Sequence, residues 1–437
     1  MSGDIGTSDI SFSNIVTAYN NVYSPDLPTT NISLSIFRGK SFGDGSSVPS
    51  TGAISIGANF KGKTWGSSII SSWTLKDTIS DPSGLNAGFA YDGSASISGD
   101  GAWISIGSQD YTGGTAVGHG NVFMYSKNTD ITYSKTQDIA NPNNSSYSFG
   151  AKTKLSRDGN YLCVVKNNDS NYGTGFYMFK RTNNTWNSIP PSGGYIQTSV
   201  IPRGIDMSED ATYIVISNND NVDEVKVYEK SADDTSVTLM EEINPPEDSL
   251  YGVLSVSISD NGELLCFGTP YVESNTGNVY VYTRTSSSWS TNPTAVIQAP
   301  DLGGYFGYDV SMSGDGNFIA TSAIFYDEVY IYKRSGSSWS LSSTINGPSN
   351  YGYGISVSLS QYADYLAVGS YYVSGLFTGD HVYAYYKDAN DAWTLKQTIA
   401  GDTGTNFGFD VNISSEGNYI LVTADQATAN AYVYYGS

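Results

Sequence analysis

From residue 67 to residue 437 apolar and polar residues alternate in short runs, each closed by Gly, Asp, Asn or Ser. Strict alternation marks a strand with one buried face, and the small polar residues between runs are turn formers. The runs recur in a fixed order. A strand, a turn of the Ser-x-Asp-Gly type and a second strand appear as SISGDGAWISIG (96–107), KLSRDGNYLCVV (154–165), DMSEDATYIVIS (206–217) and SISDNGELLCFG (257–268). The series continues as SMSGDGNFIATS (311–322), SLSQYADYLAVG (358–369) and NISSEGNYILVT (412–423). A third strand follows each, with Tyr and Val alternating: NVFMYSK (121–127), GFYMFKR (175–181), EVKVYEK (224–230), NVYVYTR (278–284), EVYIYKR (328–334), HVYAYYK (381–387) and NAYVYY (430–435). A fourth comes after a Ser/Asn-rich turn and often carries Trp near its start, as in the runs from Thr185, Ser288, Trp339 and Trp393.

Four antiparallel strands repeated seven times, about 50 residues apart, predict an all-β fold, a seven-bladed β-propeller. The seventh unit stops after three strands, at NAYVYYGS. Its fourth is predicted from the other end of the sequence, where WTLKDTI (73–79) stands alone and matches WTLKQTI (393–399) and WSLSSTI (339–345). An N-terminal strand that closes the ring removes an open sheet edge, and Trp73, Leu75 and Ile79 are expected to be buried by it. The units resemble those of the FG-GAP and WD-repeat-like propeller families, most closely in FGYDVSMSGDG (306–316) and FGFDVNISSEG (407–417). That resemblance implies the fold and leaves function open, because propellers host enzymes, lectins and scaffolds alike.

Composition narrows the partners. Charged residues make up 14% of the chain while Tyr numbers 35, so the surface is expected to be rich in Ser, Thr, Asn, Gly and Tyr. A formal net charge of −21 argues against nucleic acid, whose phosphates need basic residues. No apolar run is long enough for a membrane-spanning helix, and MSGDIGTSDISFSN lacks the charged and apolar regions of a signal peptide. Neither membrane insertion nor standard secretion is therefore expected. Cys163 and Cys266, in YLCVV and LLCFG, read as free buried thiols on second strands of different blades.

Candidate chemistry is sparse. Asp100, Asp158 and Asp315 of the repeated turns invite a calcium reading, but no Asp-x-Asp-x-Asp-Gly loop accompanies them, and a turn role is favoured. In SGDGAW (98–103) Gly follows Asp directly, so the Asp-box of sialidases is not met. His119 and His381 fall in different blades, and no Gly-x-Ser-x-Gly elbow stands beside either. No catalytic residue, metal or cofactor is expected. A hydrolase or lyase propeller with an unfamiliar site is the remaining enzymatic alternative.

The loops between second and third strands carry more information. They include QDYTGGTAVGHG (109–120), NNDSNYGTG (167–175), PYVESNTG (270–277), IFYDE (324–328) and YYVSGLFTGD (371–380). Tyr111, Tyr172, Tyr271, Tyr326, Tyr371 and Tyr372 are candidates for a face that meets a glycan or a protein, since tyrosine offers both a ring face and a hydroxyl. A plain solvated loop set is the alternative.

Residues 1–66 break the blade pattern and form a separate segment before the propeller of 67–437. They contain a duplication, ISLSIFRGK (32–40) and ISIGANFKGK (54–63), each copy ending aromatic–basic–Gly–Lys. Asp4, Asp9, Asp26 and Asp44 balance Arg38, Lys40, Lys61 and Lys63, so the negative charge belongs to the propeller. So short a segment is expected to dock on something instead of building its own core. ISLS-x-x-RGK followed by VPSTGAISIGANFKGKTW resembles leaders on virion proteins of large algal DNA viruses such as chloroviruses, and related leaders of tailed-phage structural proteins. The resemblance implies a minor capsid or appendage protein, assembled in the host cytoplasm, with capsid proteins as partners. Phe37, Arg38, Lys40, Phe60, Lys61 and Lys63 are the candidate docking residues. Two alternatives stay open: that both Phe pack against the propeller's own acidic surface, and that the chain is a cellular lectin-like or protein-binding propeller.

Overall fold

The alternating runs are strands, and they pair in the predicted order. The structure, a computed structural model, describes residues 32–34, 55–56 and 69–437, the last without 83–87, 91–93, 110–119, 143–147, 168–173, 191–193, 199–201, 219–223, 247–251, 349–351, 371–379, 403–404 and 425–429. It divides into two compact units, Met1–Ile69 and Ile70–Ser437. In the first, Ile32–Leu34 and Ser55–Ile56 pair antiparallel with Ile32 opposite Ile56, so the duplicated motif forms a two-stranded ribbon. Phe37, Arg38, Lys40, Phe60, Lys61 and Lys63 lie outside the described residues.

The second unit is a seven-bladed propeller of antiparallel sheets. Blade 5 shows the plan, with Phe306–Met312 innermost, then Phe318–Ala323, Glu328–Ser335 and Ser338–Asn346 outermost. In blades 2 and 4 two short strands share the outer position, Thr185–Ile189 with Tyr195–Thr198 and Ser288–Trp289 with Ala295–Gln298. Pro190 and Pro293 fall in these breaks, and proline has no N–H to continue a ladder. In blades 1, 3, 5, 6 and 7 the outer strand stays whole and slips register once, as between Ile331 and Tyr332, a bulge that adds twist.

Blade 7 is completed from both ends of the propeller. Trp73–Ser80 pairs with Asn430–Gly436, outside Tyr419–Ala424 and Asp410–Ile413, with Ile79 opposite Ala431 and Trp73 opposite Gly436. Trp73 is buried, its Nε1 donates to the Gly417 carbonyl at 2.9 Å, and its ring meets Tyr365 edge-on at 5.8 Å. Leu75 departs from expectation, being 50% exposed. It sits at the register slip before Asp77, and its counterparts Leu341 and Leu395 are exposed for the same reason.

The described core is seven clusters, one at each seam between blades, in place of one central mass. Glycine sets the seam distance. A Cβ on Gly268 of blade 4 would lie 1.9 Å from the carbonyl oxygen of Gly307 in blade 5, and Gly307 itself sits at φ +85°, where a side chain is strained. The same close approach recurs between Gly107 and Gly150 and between Gly369 and Gly408. The aromatic before the second glycine, Phe149, Phe306 or Phe407, fills the seam beside it. Cys163 and Cys266 are free, buried thiols on the second strands of blades 2 and 4, as expected.

Trp73→Ala is expected to lower stability by about 3–5 kcal/mol, the usual cost of removing a buried large aromatic. Leu75→Ala on the same strand should change it by less than about 1 kcal/mol. Chemical denaturation of the two variants checks this; equal effects would contradict the closure geometry.

Candidate functional site: a charged channel and an aromatic rim

The seven inner strands line an axial channel, and their polar positions follow from a backbone problem. Neighbouring inner strands belong to different sheets, so an N–H turned toward the next blade has no ladder partner and needs a side-chain acceptor. Ser96 Oγ accepts from the Leu155 N–H at 3.1 Å, Ser257 from Met312 at 3.1 Å, Ser311 from Leu359 at 3.0 Å and Ser358 from Ile413 at 3.1 Å. In blade 3 a carboxylate takes this place: Asp206 Oδ2 accepts from the Ile258 N–H and from Ser257 Oγ, each at 3.0 Å.

The Ser-x-Asp-Gly turns close one end of the channel. Within each of the first turns the Ser hydroxyl donates to the Asp two residues on, as from Ser98 to Asp100 and from Ser313 to Asp315, both at 2.6 Å. Asp100, Asp158 and Asp315 also accept the N–H two residues further along, which is the turn role. Backbone hydrogen bonds join the turns of successive blades in a ring, from Gly99 and Arg157 through Glu209, Asp260, Gly314 and Gln361 to Ser415, whose N–H returns to the Gly99 carbonyl at 2.8 Å. Across this ring Arg157 Nε reaches Asp260 at 2.6 Å, and Gln361 Nε2 donates to the other Asp260 oxygen at 2.7 Å. Gly99 and Gly314 make the space, since a Cβ on either would lie within 2.4 Å of Ser415 or Asp260.

Above this floor the channel encloses about 310 Å³ and carries charge of both signs. Lys152, Lys154 and Arg203 come from blades 2 and 3, Asp206 from blade 3, and Asp309 and Asp410 from blades 5 and 7. Lys154 Nζ pairs with Asp206 at 2.9 Å. Asp309 accepts from Ser255 Oγ at 2.6 Å and from the N–H groups of Val310 and Val357 at 3.0 and 2.7 Å. Burial pushes its carboxyl up to about 6 despite those bonds, and the charge of Asp410 adds to the effect. Burial raises Asp410 as well, opposed by Lys152 and Lys154 and by hydrogen bonds from Asn412 and Ser356. None of these channel residues was singled out from the sequence. The available signal was the polar half of the inner strands, in AKTKLS, GIDMS, YDVSMS and FDVNIS.

The tyrosine candidates divide. Tyr111, Tyr172, Tyr371 and Tyr372 lie outside the described residues. Tyr271 and Tyr326 are brought together at the rim between blades 4 and 5, linked by two aromatics not anticipated. Tyr271 meets Tyr305 at 5.5 Å, Tyr305 meets Phe325 at 6.2 Å, and Phe325 meets Tyr326 at 6.1 Å, each pair near edge-to-face. Hydrogen bonds hold the loops. The Tyr305 N–H donates to the Asn275 carbonyl at 2.9 Å, that of Phe325 to Gly304 at 3.3 Å, and the Tyr326 hydroxyl donates to the Leu302 carbonyl. Leu302, Phe325 and Tyr326 are nevertheless 80%, 54% and 40% exposed. Burial raises the Tyr330 hydroxyl, and its hydrogen bond to Glu328 and the charges of Glu328 and Asp301 add to the effect.

His381 begins the third strand of blade 6 and packs on Tyr383, and His119 lies outside the described residues. Among the described residues no group of His, Cys, Asp and Glu could hold a metal ion.

A closed ring of seven radial sheets around a side-chain-lined axis defines a β-propeller. Among solved structures the chain is similar to the Cps50 (Swd1) β-propeller domain of Myceliophteria thermophila, at 10% identity and a TM-score of 0.57, over 84% of this chain and 100% of that one. It is also similar to the hydrazine synthase of Kuenenia stuttgartiensis, at 15% identity and a TM-score of 0.53, over 77% of this chain and 94% of that one. At such identities the likeness shows the fold alone. No family model and no curated protein matches the sequence.

Asp309 gives the channel a measurable signature. Its folded pKa, about 6, lies above the ordinary 3.8, so its stabilising contribution is complete below the lower value and lost as pH rises through the upper. Relative to Asp309→Asn, the wild type should lose on the order of 2–3 kcal/mol of stability between about pH 4 and 7. Urea denaturation across that range checks it; a flat difference would show that the carboxyl titrates normally.

Proposed function

We propose that the chain is a non-enzymatic recognition propeller, carried as a structural component of a virus particle and tethered to capsid proteins by residues 1–66. The observation that carries the recognition half is the rim between blades 4 and 5, where ordered loops hold Phe325 and Tyr326 in solvent. Exposed aromatics on pre-ordered loops bind with little loss of side-chain entropy, and such residues dominate interface energies. Host-surface glycan or protein is the proposed ligand class. The particle half rests on the likeness of the leader to those of virion proteins, and the propeller would serve a cellular lectin-like or protein-binding role equally well.

Two experiments separate these readings. The chain should be found in purified particles, and a truncated chain of residues 67–437 should fold yet fail to join them; a full chain absent from particles leaves the cellular reading. Binding of the full chain to host-surface material or a glycan array should fall about tenfold or more in Phe325→Ala and Tyr326→Ala, the loss typical of an interface hot spot. Unchanged binding by both variants would remove the rim from the proposal.

A further inference from the structure

The channel is independent of the rim and of the leader, and its wall chemistry specifies a ligand. Three cations, Lys152, Lys154 and Arg203, share the cavity with three carboxylates, Asp206, Asp309 and Asp410, so it is formally neutral with separated poles. The cations come from blades 2 and 3, and the carboxylates other than Asp206 from blades 5 and 7, on the other arc of the ring. Burial raises the Asp410 carboxyl, and the charges of Lys152 and Lys154 oppose that rise.

At each pole one residue, Lys154 and Asp410, is left with hydrogen-bonding capacity by its protein partners. Lys154 gives Asp206 one contact, and an ammonium has three donors. Asp410 receives a bond of 2.9 Å from Asn412 and a long one of 3.4 Å from Ser356, whereas a carboxylate accepts about four. A simple anion entering here would face three carboxylates and a simple cation three cations, while an apolar ligand would strip water from all six groups. At about 310 Å³ the cavity stands at the small end of the ligand-pocket range. The floor ring stops anything from threading through.

We infer that the channel binds a small zwitterion, a free α-amino acid or a short peptide, with its carboxylate toward Lys152 and Lys154 and its ammonium toward Asp309 and Asp410. The poles are built into inner strands, so the site is preformed. An ionised Asp309 is part of it, and binding weakens as that carboxyl takes up a proton among Asp410, Asp206, Lys152 and Lys154.

Calorimetric titration of the full chain with the common α-amino acids and glycylglycine tests this, followed by the N-acetyl and amide derivatives of the best binder. Saturable binding is expected, and each cap should weaken it about tenfold or more, the loss of one charge-assisted contact. Lys152→Met and Asp410→Asn should produce similar losses, and wild-type affinity should fall from pH 7.5 to 5. The inference is overturned if no zwitterion binds at millimolar concentration, or if the capped derivatives bind as tightly as the parent. It is also overturned if the variants keep wild-type circular dichroism and wild-type affinity. The capped series uses only wild-type protein, so it decides the matter even where a channel variant fails to fold.

Discussion

The pairing of Trp73–Ser80 with Asn430–Gly436 is the contact on which the ring depends. Each seam is an independent cluster that needs a blade on both sides, and this one strand supplies Ile79 to the seam with blade 1 and Trp73 to the seam with blade 6. Its backbone is also clamped by a neighbour. The Gln397 amide of blade 6 donates to the Trp73 carbonyl at 2.9 Å and accepts the Trp73 N–H, as Gln137 of blade 1 does for Trp186 of blade 2. On the other flank Asp77 accepts the Tyr133 N–H of blade 1 at 2.7 Å. The orphan strand thus makes the same connections as an internal outer strand, although more than 300 residues separate it from its partners in blades 6 and 7. Such closure converts a row of repeats, each contacting only its neighbours, into a ring without a terminal edge.

Closure also sets what the middle of the molecule can be. Inner strands of different sheets cannot satisfy each other's N–H groups, so hydroxyls and carboxylates must face the axis. A serine does this neutrally, as Ser257, Ser311 and Ser358 do. Where Asp206 and Asp309 do it, charge enters the channel as a by-product of the stitching, and lysines on blade 2 offset it. The polar channel is in this sense a structural necessity, and its pattern of charges is the part open to specialisation.

Much of this was legible in the sequence because it repeats. Blade number, strand order, the closing strand, the unbridged cysteines and the turn role of Asp100, Asp158 and Asp315 all follow from period-two patterning and turn chemistry, which are local signals. Leu75 was misjudged because alternation predicts which face a residue occupies and cannot see a register slip two residues later. The split outer strands of blades 2 and 4 carried a readable proline signal that the Trp-led pattern obscured. The polar half of the inner strands marks the channel wall, but the pairing of its charges and the Tyr305–Phe325 link are not legible in the sequence. They depend on which blades stand opposite or adjacent once the ring closes, and no single segment encodes that.

The same topology relates the two candidate surfaces. Each inner strand runs from the connection with the preceding blade toward its Ser-x-Asp-Gly turn, and the turns form the floor. The open mouth is therefore at the end where blades connect and where second strands pass to third strands. The rim loops are of those two kinds: 301–305 joins blade 4 to blade 5, while 270–277 and 324–327 join second strands to third. Channel mouth and aromatic rim consequently share one face of the disc, with the Asp309 pole on blade 5, the blade that also carries Phe325 and Tyr326. Among the described residues Arg157, Asp260 and Gln361 close the floor, so the mouth on this face is the way into the channel.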